Sequence, residues 1–240
     1  VIEEVCIVVP ARDEAERLPS CLIALSTAMA HLRRSHPGVR VRVTLVLDSC
    51  QDDSVEVVRF ALRGLLSVAE TLTVDVASVG SARSIGVLRA LERTRSAADR
   101  VWIANTDADS RVPAEWLSNQ LALADAGADV TLGTVLPELH DLSPARRAAW
   151  GSREDASPPG AVHGASLGIR ASVYRDVGGF EPVREHEDSR LVAAARDAGA
   201  RVVNLDGSPV TTSARLVGRT PGGFAGYLAA LGDAPLEAVG

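Results

Sequence analysis

In the stretch "VWIANTDADSRVPAEWL" an apolar run from Val101 to Ala104 ends in Asn105 and Thr106, and two carboxylates one residue apart follow, Asp107 and Asp109. In extended backbone, residues i and i+2 project to the same side, so both acids can face one ligand. Close carboxylates repel each other, and the repulsion is relieved by protonating one or by binding a cation. A hard divalent ion, Mg²⁺ or Mn²⁺, shared between such carboxylates and substrate phosphates is the chemistry this pair supports. Asp-x-Asp-Ser is also ordinary turn chemistry ahead of a helix, here one with Pro113 at its first position. Placement directly after a buried strand favours the functional reading.

Other charged residues stand in comparable places. "VVPARDEAERL" sets Arg12, Asp13 and Glu14 at a strand end. There the acids either favour a helix N-terminus or, with Pro10 and Ala11, line a nucleotide pocket. In "LVLDSCQDDS", Asp48 closes a strand and can accept from a base N–H or a ribose hydroxyl, whereas Asp52, Asp53 and Ser54 read as a helix cap. Arg83 in "GSARSIG" opens a helix, where a guanidinium and nearby free amides suit a phosphate. This stretch matches neither G-x-G-x-x-G nor a Walker loop. "EHEDSRL" places Glu185, His186, Glu187 and Asp188 at a helix start, where a carboxylate can act as general base toward a hydroxyl or simply balance the helix dipole. Position 190 is Arg, so the H-E-x-x-H pattern of zinc proteases is not met. His163, in "VHGAS", either joins a site or fills a strand end.

The elements that must position these groups are written in the hydrophobic pattern. Five apolar runs, "VCIVVP", "VRVTLVLD", "LTVDVASV", "RVWIANTD" and "DVTLGTV", have the near-continuous character of strands buried on both faces. Helical patterns separate them, at Arg17 to Arg34, Asp53 to Leu66, Ala82 to Arg95 and Pro113 to Ala126. The alternation predicts an α/β fold, a mostly parallel central sheet with helices on both faces and right-handed crossovers. Each polar cluster follows the C-terminal end of a strand, where open α/β sheets bind ligands. From Leu139 to Val162 no period is strong, which predicts a long binding or lid loop. A strand in "AVHGASLGIR", a short helix in "ASVYRDVGGF", an amphipathic helix in "HEDSRLVAAARDAGA" ended by Gly199, a strand in "RVVNLD" and one last helix in the tail complete the expectation.

Composition narrows the class of protein. The 240 residues suffice for one large domain, 46% are hydrophobic and 23% charged. No apolar stretch approaches the roughly 20 residues of a membrane span, so a cytoplasmic protein without a transmembrane segment is expected. A net charge of -6 argues against a nucleic-acid partner. Lysine is absent, which excludes Schiff-base chemistry and a phosphate-loop lysine. Cys6, Cys21 and Cys50 form no C-x-x-C pair and read as reduced structural thiols.

Taken in order, "VVPARDEAERL", "VLDSCQDDS", "ARSIG", "NTDADS" and "VGGF" followed by "EHEDSRL" resemble the family 2 glycosyltransferases of the GT-A fold, from about residue 5 to 206. The resemblance implies a single domain over 1–240: about 1–110 for the nucleotide sugar, about 111–206 for the acceptor, and a tail over 207–240. It implies a nucleotide-diphosphate sugar donor, Mg²⁺ or Mn²⁺, and an acceptor bearing a hydroxyl. Pro10, Ala11, Arg12, Glu14, Asp48, Arg83, Thr106 and Asp107 would line the nucleotide-sugar site, Asp107 and Asp109 would hold the metal, and His163 and His186 would lie on the acceptor side. Asp188 matches the general base, with Glu187 as its alternative. Leu47, Ser49 and Cys50 depart from the commoner Asp, Gly and Ser, and "VLDSCQD" also resembles retaining enzymes of the glucosyl-phosphoglycerate synthase type. Inversion is the expected stereochemistry. A sugar-nucleotide nucleotidyltransferase and a degenerate nucleotide-sugar-binding scaffold are the other readings; the first usually needs a glycine-rich loop that "PARDEAE" lacks.

Overall fold

The computed structural model describes residues 1–63, 68–152, 161–183, 185–218 and 223–231. In the first half β1 (Glu4–Ala11), β2 (Arg40–Asp48), β3 (Ala69–Val74), β4 (Val101–Asn105) and the short β5 (Ser110–Arg111) alternate with α1 (Leu18–Ser35), α2 (Ser54–Leu62) and α3 (Val79–Glu92). Then come α4 (Trp116–Asp125), β6 (Val130–Pro137), α5 (Pro144–Gly151), β7 (Leu167–Arg170), α6 (Ala171–Asp176), α7 (Glu187–Asp197), β8 (Val202–Thr212) and α8 (Phe224–Ala230). All eight strands form one sheet in the order β3-β2-β1-β4-β7-β6-β8-β5. Strands β3, β2, β1 and β4 pair in parallel, as do β6 and β8; β7 is antiparallel to both its neighbours and β5 to β8. The expected mostly parallel α/β sheet is thus present.

Two layers of helix bury the sheet because β1, β2 and β4 alternate apolar side chains between faces. Val5, Ile7, Val9 and Trp102 pack with α1, α2 and α4, while Cys6, Val8 and Ile103 pack with α3, α6 and α7. Burial pushes the Cys6 thiol up to about 12, in keeping with an inert structural cysteine. The two fully buried indoles find acceptors: Trp102 Nε1 donates to Gln120 Oε1 at 2.9 Å and Trp116 Nε1 to Ser166 Oγ at 3.1 Å. Among the described residues no helix is long and apolar enough to cross a membrane.

The strand order explains where a ligand can go. From β1 the chain moves outward to β2 and β3, then returns to place β4 on the other side of β1. The crevice of an open α/β sheet forms at such a reversal, outside the carboxyl ends of the two strands. Those ends carry Pro10 to Glu14 and Asn105 to Asp109.

Boundaries differ from the expectation in informative places. Strand β3 stops at Val74 because the next amides turn onto Asp48. Helix α4 starts at Trp116 rather than Pro113; the intervening residues form a turn closed by Trp116 N donating to Pro113 O at 3.1 Å. The Leu139–Val162 stretch is not an unbroken loop. It contains α5, capped by Ser143 Oγ, which accepts from Arg146 N, with Pro144 in the first turn. Residues 153–160 of that stretch and 64–67 of the helix expected to reach Leu66 lie outside the described residues.

Candidate active site

A cleft of about 710 Å³ opens at the predicted crevice. Pro10, Ala11, Arg12 and Glu14 line it from the end of β1, Asp48 from β2, and Asp107 and Asp109 from the loop after β4. The N-terminus of α3 contributes Ser78, Val79 and Ala82; the chain after β8 contributes Ser213 and Arg215; α8 contributes Phe224. Seven of the residues expected at the donor or metal site therefore meet in one place.

Asp48 is buried, and it organises the wall it belongs to. Its Oδ1 accepts from Val76 N at 2.9 Å and Ala77 N at 3.0 Å, and its Oδ2 from Ser78 N at 3.1 Å. This holds the loop that leads into α3. The loops around the cleft also carry backbone strain: Asp13 (φ 49), Ser49 (φ 55), Ala77 (φ 49) and His186 (φ 62) are the non-glycine residues with positive φ among those described. Such conformations cost energy and persist where the surroundings enforce them, commonly at binding sites.

The acid pair is asymmetric. Asp107 is one-third exposed, whereas the Asp109 side chain is only 10% exposed. Burial pushes the Asp109 carboxyl up to about 6, against the pull of the Arg215 guanidinium, and neighbouring Asp107 adds to the rise. Arg215 Nη2 lies 2.7 Å from Asp109 Oδ2, and its Nη1 donates to Glu14 Oε1 at 2.8 Å. Two groups of three ligand-type side chains converge elsewhere among the described residues, Asp13–Cys50–Asp52 and Glu138–His140–Asp141. Both are engaged in structural contacts: Asp13 and Asp52 accept from the amides of Gln51 and Ala15, and Glu138 and Asp141 pair with Arg17.

Behind the acid pair, Arg83 is 3% exposed and does not line the cleft. Its Nη2 donates to Asp107 Oδ1 and its Nη1 to Glu187 Oε1 at 2.5 Å, while Nε has no partner among the described residues. Burial works against its charge, but Asp107 and Glu187 outweigh that and raise its pKa. Burial likewise raises the Glu187 carboxyl, with Arg83 opposing. A Cβ at Gly164 would overlap the guanidinium as Asp107 and Glu187 hold it. Asp188, the next residue of α7, is half-buried and accepts from Gly164 N at 2.8 Å and Ser189 N at 2.6 Å. Burial lowers the pKa of adjacent His163, so its ring is neutral at pH 7. The His163 ring meets that of Phe224 edge-on at 6.1 Å, and Phe224 in turn contacts Trp150 and Tyr227.

The model of the family described as "Glycosyl transferase family 2" matches residues 6–171. The chain belongs to this family. Its fold is shared with solved GT-A glycosyltransferases. TarS of S. aureus, residues 1–349 in complex with UDP-GlcNAc, superposes with a TM-score of 0.65 at 15% identity, over 92% of this chain and 61% of that one. The mannosyltransferase PcManGT of Pyrobaculum calidifontis, in complex with GDP-Man and Mn²⁺, gives 0.62 at 17%, over 87% and 56%. The chain thus spans less than two thirds of either solved chain, and at these identities the likeness is one of fold. No curated protein matches it.

Not every residue expected from the family resemblance reaches the cleft of this family 2 chain. Thr106 is fully buried, its hydroxyl without a hydrogen-bond partner among the described residues, and Arg83 stands behind Asp107. His186 is largely exposed at the left-handed position before α7. Arg215 and Phe224 are among the cleft residues that had not been expected. Both come from the tail, where no motif or period marks them; an arginine soon after the last strand is the one signal available.

Proposed function

We propose that the protein transfers a glycosyl group from a nucleoside-diphosphate sugar to an acceptor hydroxyl with inversion of configuration. The observation that carries this reading is the Asp107–Arg83–Glu187 chain, which ties the acid pair of the donor crevice to the first turn of α7, where Asp188 stands half exposed. The bound nucleotide sugars of TarS and PcManGT support the donor class, and the cleft volume falls in the range of small-molecule sites.

In this reading Pro10, Ala11, Arg12, Glu14 and the Asp48-braced loop receive the nucleotide. The α3 N-terminus favours the negative charge of the diphosphate. Asp107 and Asp109 fit a divalent cation: they are hard oxygen donors, and Asp109 is a buried carboxylate that needs a positive partner to stay ionised. When bound, Mg²⁺ or Mn²⁺ would offset the charge of the departing diphosphate.

Asp188 suits the base better than Glu187. Oε1 of Glu187 is occupied by Arg83 and the side chain is buried, so its part is to position α7. Asp188 is oriented by two amides and keeps access to solvent; it takes the proton as the acceptor oxygen attacks the anomeric carbon. His163 and the aromatic group around Phe224 border the acceptor side, extending it from the 111–206 half into the tail.

The test is a thermal-shift panel of UDP, GDP, dTDP, CDP and ADP with and without Mn²⁺, followed by transfer assays on Asp188→Asn. A ligand specific to the native state raises the melting temperature. The variant should keep the nucleotide shift and lose transfer by roughly 10²–10⁴-fold. Normal turnover would remove Asp188 from the role of base.

A further inference from the structure

The cleft wall carries five carboxylates, Glu14, Asp48, Asp107, Asp109 and Glu185, against two guanidiniums, Arg12 and Arg215. A diphosphate entering such a wall meets repulsion unless cations stand ready. Arg83 is behind the wall and already shared between two acids. Arg215 differs: it reaches into the cleft and bridges Asp109 and Glu14.

Its position does not depend on a loose tail. Ser213 N donates to Asp109 O at 3.2 Å, Ser110 Oγ donates to Thr212 Oγ1 at 2.9 Å, and Arg215 N donates to Ser213 Oγ at 3.3 Å. The β5–β8 pairing therefore sets the guanidinium against the loop that carries the acid pair. A guanidinium stays protonated and cannot ligate a metal, but its planar fork suits a carboxylate or a phosphate equally well.

We propose that Arg215 is the resident cation of the donor site: it neutralises Asp109 and Glu14 while the cleft is free of nucleotide, and moves onto the diphosphate oxygens when a nucleoside diphosphate binds. The inference rests on the donor reading given above. In the nucleotide-free protein Arg215 competes with divalent cations for Asp109. Once it has turned to phosphate, Asp109 is left to the cation. Nucleotide and metal then bind as a pair, each weakly without the other, and the coupling is reciprocal.

Calorimetric titration of the wild-type chain, Arg215→Gln and Arg215→Lys tests this, using the five nucleoside diphosphates and the matching monophosphates, each in EDTA and in Mn²⁺. A separate Mn²⁺ titration without nucleotide is read by electron paramagnetic resonance. For whichever diphosphate the wild type binds, Arg215→Gln should weaken binding in EDTA at least tenfold and the monophosphate less than threefold. The same variant should bind Mn²⁺ alone at least tenfold more tightly. Arg215→Lys keeps the charge but loses the planar fork, and its diphosphate affinity in EDTA should fall between those of wild type and Arg215→Gln. Unchanged diphosphate and Mn²⁺ affinities in Arg215→Gln, or equal losses for mono- and diphosphate, overturn the inference and leave the donor reading standing. Failure of the wild type to bind any of the five diphosphates in either condition defeats the donor reading itself, and the inference with it.

Discussion

Replacing Arg83 with Met removes a cation that is 3% exposed from between two carboxylates. The Glu187 side chain is 6% exposed, so the variant strands it without a partner; Asp107, at 33%, recovers part of its hydration. Breaking a buried pair by deleting one partner costs about 3–5 kcal/mol, and the more exposed Asp107 arm adds little to that. An expected loss of about 3–4 kcal/mol at pH 7 corresponds to a melting temperature lower by roughly 6–16 °C for a chain of this size. The companion variant Arg83→Met with Glu187→Met replaces the buried pair by apolar side chains and should recover to within about 2 kcal/mol of wild type. Acidity supplies a second check. Glu187 already has a raised pKa, and losing Arg83 raises it further, so its ionised form is penalised above the unfolded value. Protonation removes the penalty, and the deficit of Arg83→Met should narrow as pH falls from 7 toward about 4.5. Urea and thermal unfolding followed by circular dichroism across this range measure all three quantities. A single variant within about 1 kcal/mol of wild type, or a double variant no better than the single one, would refute the account of Arg83 as a structural clamp.

Phe224→Leu keeps an apolar side chain beside Leu142 and Trp150 but removes the ring that meets His163, Trp150 and Tyr227. Acceptor KM should rise about 3–10-fold, in proportion to a lost aromatic contact, while donor-nucleotide Kd stays within about twofold; the reverse pattern would move Phe224 to the donor side. Glu4 is fully buried, and although burial pushes its carboxyl up, hydrogen bonds from Arg42, the Arg95 amide and Arg40 hold it below the usual range. Its stabilisation is therefore present above the unfolded value and lost as pH falls through the folded one. Glu4→Gln should cost about 1.5–2 kcal/mol at pH 7, discounted because both arginines are partly exposed, and the difference should fade below about pH 4; a constant difference down to pH 3 would contradict the assignment.

The half of the sheet built from β1 to β4 was legible because its signals are local. Each buried strand ends in a polar cluster a few residues long, and the reversal between β1 and β4 brings two of those clusters together. The spacing of Asp107 and Asp109 required no knowledge of distant chain. Asp48 lines the cleft, yet its bonding to Val76, Ala77 and Ser78 depends on the parallel pairing of β2 with β3, which sets Val74 beside Asp48. Helix α5 was missed although Ser143 and Pro144 are an ordinary helix start, because eight residues are too few for a clear period.

Arg215 is the extreme case. Its partner Glu14 lies 201 residues earlier, and the link runs through β5, a strand of two residues that no hydrophobic pattern can announce. Strands β7, β6, β8 and β5 mix parallel and antiparallel pairs, so the residues they bring to the cleft come from separate parts of the chain. Sequence motifs therefore located the acids, which sit on loops directly after their own strands, and Arg83 beside Asp107, but not the cation that pairs with Asp109 and Glu14. A nearby cation favours the ionised form of a buried carboxylate, and for Asp109 that cation arrives through long-range pairing. In such a cleft, the residue that governs when the acids become available to a ligand is the one local patterns are least able to show.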